Sequence, residues 1–144
     1  MSQSPLNYWL IFGGILTAIA ALMHIAIIIG GPDWYRFFGA GEGMARAAAQ
    51  GRMMPTLITL SIATMLAIWA AYAFSGAGLI VRLPLLRTAL VLISGIFMLR
   101  ALAVVPLLLT PTEQSTTFWL WSSAIVLIYG LTYAIGTWRA WPEL

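Results

Sequence analysis

The chain is 144 residues long, 62% of it apolar and only 8% charged, against about 25% charged residues in an ordinary soluble domain. So short a chain cannot hide that much apolar surface within itself, which excludes a soluble globule and makes lipid the solvent for most of it. The net charge of +3 arises from seven basic residues, all arginine, against four acids. Arg36, Arg46, Arg52, Arg82, Arg87, Arg100 and Arg139 are dispersed, so no basic face follows a phosphate backbone and nucleic acid is excluded as a partner. Cysteine is absent, which removes disulfides, thiolate metal sites and thiol redox chemistry.

A bilayer core about 30 Å thick needs about 20 helical residues, and four apolar segments meet that length. The first runs from about Tyr8 to Ile29. It is longer than a signal-peptide core, no basic residue precedes it and no small-residue cleavage site ends it, so it is expected to remain as a span. Gly13, Thr17, Ala20 and His24 recur along it at spacings of 4, 3 and 4. The only histidine therefore shares a face with small residues and is expected to point inward, near the end closest to the first loop.

That loop, Gly30 to Met54, is unlike a flexible linker. Asp33 after Pro32 is expected to cap a short helix bearing Trp34, Tyr35, Phe37 and Phe38, and a second should run from Glu42 to Ala49 until Gly51 stops it. Glu42 and Arg46, four residues apart, are in the favourable order for an ion pair on one helical face. Both helices should lie in the membrane interface.

The second span is expected over Pro55 to Ser75, with Ser61, Thr64, Ile68, Ala71 and Ser75 forming a polar stripe of the kind used between packed helices. Gly76-Ala77-Gly78 and Leu83-Pro84 bound a short connection to the third span, Leu85 to Leu109. Within it lies Arg100. Thirteen Leu, Ile, Val and Phe residues between Thr88 and Leu109 favour insertion by about 4–8 kcal/mol, against about 2.5–3.5 for one central arginine. Insertion succeeds, but the charge needs a partner. The residue lies about 13 Å of helix from Leu109, beyond the reach of an arginine snorkelling alone. Pro106 weakens the helical ladder just beyond it, at the carbonyl of Leu102.

Thr110-Pro111-Thr112-Glu113 bounds the last connection, and the fourth span, Thr117 to Trp138, carries Ser122, Tyr129, Thr132 and Gly136 on one face. Tyr8, Trp9, Trp138 and Trp141 mark one membrane interface and Trp34, Tyr35, Trp119 and Trp121 the other. Short connections make neighbours antiparallel, so the expected fold is one all-α domain, 1–144. Its spans form an up-and-down four-helix bundle with an interfacial helical loop, residues 30–54, between spans one and two.

The segments HIAIIIGGPDWYRFFGAGE, from His24 to Glu42, and SGAGLIVRLPLLR, from Ser75 to Arg87, resemble a group of small bacterial inner-membrane proteins with four predicted spans. The resemblance implies the architecture and a bacterial inner-membrane location, but no reaction. Small multidrug exporters would need a glutamate in the first span, and quinone-linked thiol oxidoreductases would need cysteines; neither is present. The arginine-rich motifs of the glutathione-using membrane enzymes are not found either.

His24, Arg100, Asp33 and Glu42 are all expected in the half of the bilayer nearer the first loop. The reading that follows is a membrane-embedded binding protein for a lipid-like or quinone-like amphiphile. Arg100 would meet the polar head, His24 would hydrogen-bond to it, Glu42, Asp33 or Arg46 would balance charge, and Trp34 and Tyr129 would line the pocket. The alternatives are a non-catalytic assembly subunit of a larger membrane complex, and an enzyme with His24 as acid or base. A homodimer is a further expected form. Three metal ligands would meet only if the loop folded back on His24, so no metal site is expected, and the cofactor, if any, stays unassigned. The arginines tie, Arg82, Arg87 and Arg139 on the side of the termini against Arg36, Arg46 and Arg52 on the other; because the loop-one side also carries Asp33, Glu42 and Glu113, the termini are expected in the cytoplasm.

Overall fold

A computed structural model describes residues 6–109 and 116–144. Among the described residues the chain is entirely helical: α1 (Tyr8–Gly30), α2 (Pro32–Phe37), α3 (Glu42–Ala49), α4 (Met53–Gly76), α5 (Leu86–Leu102), α6 (Val104–Leu109) and α7 (Thr116–Ala140). Four helical segments, Tyr8–Gly30, Met53–Gly76, Leu86–Pro106 and Phe118–Ala140, are long and apolar enough to cross a membrane. The expected turn at Thr110 to Glu113 lies outside the described residues.

Two compact units are present, one built on residues up to Leu16 together with those from Trp69 onward, the other on Thr17–Ile68. In the first, parts of all four spans pack together. Gly136 of α7 lies against Leu10 of α1, where an added Cβ would come within 3.1 Å of the Leu10 nitrogen and closer still to its side chain. Gly76, at the end of α4, lies against Leu10 and against Leu90 of α5. The starts of α1 and α5 thus meet the ends of α4 and α7 at one level, so successive spans run in opposite directions, as expected of an up-and-down bundle. Glycine at these two places lets backbones approach where any side chain would hold them apart.

The start of α1 is fixed by Asn7. Its Oδ1 accepts from the Leu10 N–H at 3.2 Å, and its Nδ2 donates to the Gly136 carbonyl at 2.7 Å. One side chain therefore caps α1 and ties it to α7. On α5 the buried residues Leu86, Leu90, Ile93, Ser94, Phe97 and Ala101 form a helical stripe, and α5 packs along α7. Phe97 is the centre of an aromatic cluster, with ring centroids 5.1 Å from Trp69, 5.5 Å from Tyr129 and 5.4 Å from Tyr133. The third span is interrupted at Ala103, which separates α5 from α6. Pro106 accounts for the break: its ring occupies the space of the Leu102 carbonyl and it has no N–H to offer that oxygen.

The second unit folds the first loop into a helical hairpin. Ile27 of α1, Tyr35 of α2 and Ala45 of α3 form a buried cluster, with Phe38, Met44 and Ala48 packed against it. Tyr35, 2% exposed, accepts a hydrogen bond from Thr59 Oγ1 of α4 at 3.2 Å. The hairpin is thereby seated on the end of α1 and the start of α4, and α3 spans Glu42–Ala49 with Gly51 in the left-handed region (φ 70°), as the sequence predicts.

Two local expectations are corrected. Asp33 does not cap α2; the cap position is Gly31 at φ 70° and offers no side chain, while Asp33 falls inside the first turn and turns to Arg36. In α4 the buried face is Pro55, Thr59, Ala63, Leu66, Ala70, Ala73 and Ser75, so of the expected polar stripe Ser75 is buried whereas Ser61 and Thr64 are exposed. Their hydroxyls donate to the carbonyls of Leu57 (2.8 Å) and Leu60 (2.9 Å) on the same helix. Satisfied in this way, a serine or threonine can face lipid without a partner helix.

Candidate functional site

Within the second unit, Asp33, Arg36, Glu42 and Arg46 form one exposed charge cluster. Arg36 donates from Nη1 to Asp33 Oδ1 at 2.9 Å, from Nε to Glu42 Oε2 at 2.9 Å and from Nη2 to Glu42 Oε1 at 3.2 Å. The two-pronged bond to Glu42 matches the planar fork of a guanidinium to a carboxylate. Arg46 is the weaker neighbour, its Nε 3.7 Å from Glu42 Oε1. The hydrogen bond from Arg36 holds the Glu42 carboxyl below the ordinary carboxylate range, and that same bond raises Arg36. Asp33, Glu42 and Arg46, expected at a ligand, are thus brought together around Arg36, which the sequence reading left out. The three-residue spacing from Asp33 to Arg36 was the available signal.

Trp34 lies over Gly30, where an added Cβ would fall inside its ring, and stacks with Phe38 at a centroid distance of 5.8 Å. Gly30 therefore makes room for the indole, and Trp34 is half exposed beside the fully exposed face of Phe37. An amphipathic ring in that setting anchors the hairpin at a lipid interface. His24, half-buried on α1, has Nδ1 2.7 Å from the Ala20 carbonyl. A carbonyl can only accept, so Nδ1 carries the hydrogen and Nε2 is left as a hydrogen-bond acceptor.

Arg100 and Tyr129 belong to the first unit. Tyr129 donates its hydroxyl to the Leu16 carbonyl at 3.0 Å, and Tyr133 donates to the Trp69 carbonyl at 3.1 Å. These bonds tie α7 to α1 and α4, satisfying phenols that would otherwise be unpaired in hydrocarbon. Arg100 is half-buried between α5 and α7. Its Nη2 donates to Ser122 Oγ at 3.1 Å, and its guanidinium lies 4.7 Å from the centre of the Trp119 ring. Its Nη1 is buried and has no hydrogen-bond acceptor among the described residues. A hydroxyl and an indole face supply partial compensation, but neither neutralises the charge.

Among the described residues no three histidine, cysteine, aspartate or glutamate side chains gather as a metal site would require. Asn7, the cap and cross-link of α1, is a polar residue that sequence reasoning passed over, although an asparagine just before a helix start is a capping signal. Comparison of the chain with protein-family models, curated proteins and solved structures finds no match.

Proposed function

We propose that this multi-pass membrane protein binds an amphiphile, lipid-like or quinone-like, whose polar head accepts hydrogen bonds from Arg100. The supporting observation is the buried Nη1 of Arg100, inside a segment apolar enough to span a membrane and without an acceptor among the described residues. An arginine costs about 2.5–3.5 kcal/mol to place at the centre of such a span, and a buried donor left unpaired adds to that cost. Asp33 and Glu42 are taken up by Arg36 within the second unit, and a ligand head group would supply the acceptor that the described residues do not. Ser122 would steer the guanidinium, and Trp119 would cover its face. His24 offers, independently, a ring nitrogen suited to a hydrogen bond or a proton.

Purification of the full chain in mild detergent, followed by mass spectrometry of what is co-extracted, tests the proposal. A lipid or quinone should be retained by the parent and held about tenfold or more weakly by Arg100→Gln, the loss expected for a charge-assisted hydrogen bond. Equal retention together with equal thermal stability would discard the reading. Recovery of a stable complex with unrelated chains would favour the assembly subunit instead.

The same proposal places the protein in a bacterial inner membrane with the start of α1 and the end of α7 on the cytoplasmic side. Arg82, Arg87 and Arg139 lie near those helix ends and make no ion pair among the described residues, whereas Arg36 is paired with two acids. That orientation rests on the acids gathered on the other side, since the arginines themselves number three on each. In this cysteine-free chain, a cysteine introduced at Leu79 should resist a membrane-impermeant maleimide in intact cells; ready labelling would reverse the orientation.

A further inference from the structure

The first unit contains a cavity of about 520 Å³ at the level where the four spans end. Tyr8, Trp9, Ile80, Arg82, Arg139 and Glu143 are among its lining residues. Along α5 it lies about 20 Å from Arg100, since Leu86, also at its wall, is fourteen residues earlier in the chain. It is therefore separate from the group on which the proposed function rests.

Three properties of this cavity point to its ligand. Among the described residues neither of its two guanidinium groups meets a carboxylate: Arg82 donates Nη1 to the neutral carbonyl of Glu143 at 3.1 Å, and Arg139 lies against the Trp9 ring, at 5.9 Å. The lining side chains comprise two arginines against the one carboxylate of Glu143, with no ion pair among them. Each arginine retains most of its five donors, in the planar arrangement that suits phosphate oxygens. The walls are amphipathic, with Tyr8 and Trp9 beside Ile80, and the first two are the residue types that settle at headgroup level.

The connection carrying Arg82 is held in a defined shape. Ser75 Oγ donates to the Val81 carbonyl at 2.9 Å and accepts from the Leu83 N–H at 3.0 Å. Tyr72 donates to the Pro84 carbonyl at 3.2 Å. Leu85 then stands in the left-handed region at φ 53°, a conformation unfavourable for a non-glycine residue and so in need of support from its surroundings. Arg82 is accordingly presented from a pinned strap rather than from a free loop.

We infer that this cavity binds the phosphate of an anionic membrane lipid through Arg82 and Arg139, with the glycerol and the first acyl carbons against Trp9, Tyr8 and Ile80. A soluble phosphate would use the same donors but would leave the apolar wall unused.

The test uses the full chain in detergent, with mixed micelles of phosphatidylglycerol, mixed micelles of phosphatidylcholine, and inorganic phosphate as probes. The parent should retain phosphatidylglycerol over phosphatidylcholine, and the double variant R82Q/R139Q should reduce that preference about tenfold or more. Arg52→Gln, an exposed arginine outside the cavity, should leave it unchanged. Equal loss in R52Q would reduce the effect to bulk charge, and equal protection by inorganic phosphate would make the ligand soluble; either result overturns the inference. Should the double variant fail to fold, a photoactivatable phosphatidylglycerol added to the parent still decides. Labelling of the peptides containing Tyr8–Trp9 and Ile80 is the expected result, and labelling elsewhere alone refutes the assignment.

Discussion

The α2–α3 hairpin carries two arginines, and the face formed by the starts of α1 and α5, the connection before α5 and the end of α7 carries three; they are used in opposite ways. In the hairpin, Arg36 is bound by Asp33 and by both oxygens of Glu42, with Arg46 at the edge of the same cluster. At the other face Arg82 and Arg87 donate to the neutral carbonyls of Glu143 and Trp141, and Arg87 and Arg139 lie against Trp141 and Trp9. One region satisfies its charge internally and is seated by Tyr35. The other keeps its charge available around an open cavity. Arginine thus serves a structural clasp in one place and, in the other, lies without a carboxylate partner among the described residues.

The largest way to break this contrast is to remove the seat of the hairpin. Tyr35→Ala deletes a buried aromatic ring and should cost about 3–5 kcal/mol. Hydrogen exchange should rise sharply over residues 31–52 while the start of α1 and the end of α7 stay protected; Tyr35→Phe, losing only the Thr59 bond, should cost about 1 kcal/mol. Uniform loss of protection would show that the hairpin is not a separable clasp.

A smaller change sharpens the other side. Gly136→Val places methyl groups against Leu10, where even a Cβ is too close, and should lower stability in detergent by about 1–3 kcal/mol. The cavity is walled by the same helix ends, so retention of phosphatidylglycerol should fall with it, whereas exchange of the hairpin amides should change little. Unaltered lipid retention in a destabilised variant would separate the cavity from the packing of α1 on α7.

The smallest effect is that of pH. Arg36 holds the Glu42 carboxyl below its ordinary value of 4.5, so folding favours the charged form. The stabilisation is complete above that value and is lost as pH falls through the lower folded one. Because the pair is exposed the effect is modest and should weaken with salt. Protection of α2–α3 amides, taken relative to their intrinsic exchange at each pH, should fall below pH 4.5, and Arg36→Gln should remove most of that dependence, leaving the smaller part due to Arg46. A pH profile that survives this substitution undiminished would assign the clasp to other groups.

Much of the fold was legible because its causes are local. The spans follow from hydropathy and length, and the two helices of the first loop follow from Pro32, Gly39 to Gly41 and Gly51, each acting through its own backbone. The candidate site was legible only as an inventory. Sequence spacing paired Glu42 with Arg46, since four residues is one turn, but the bend between α2 and α3 brings Arg36 closer, to 2.9 Å. For Arg100 the sequence showed the need for a partner without naming one; Ser122, twenty-two residues away, is supplied by the packing of α5 on α7.

What the sequence by itself determined is the solvent of this protein, its four crossings and the helical character of its first loop. Each of these depends on the free energy of a segment of about twenty residues taken alone. Only the tertiary structure decided which arginines are neutralised, which hydroxyls face lipid, and that a cavity bounded by Arg82 and Arg139 opens where the spans end. The physical reason is one of range. Transfer into lipid adds up residue by residue, whereas a hydrogen bond or an ion pair exists only within about 3–4 Å, a distance that the chain reaches between remote residues only after its helices have packed.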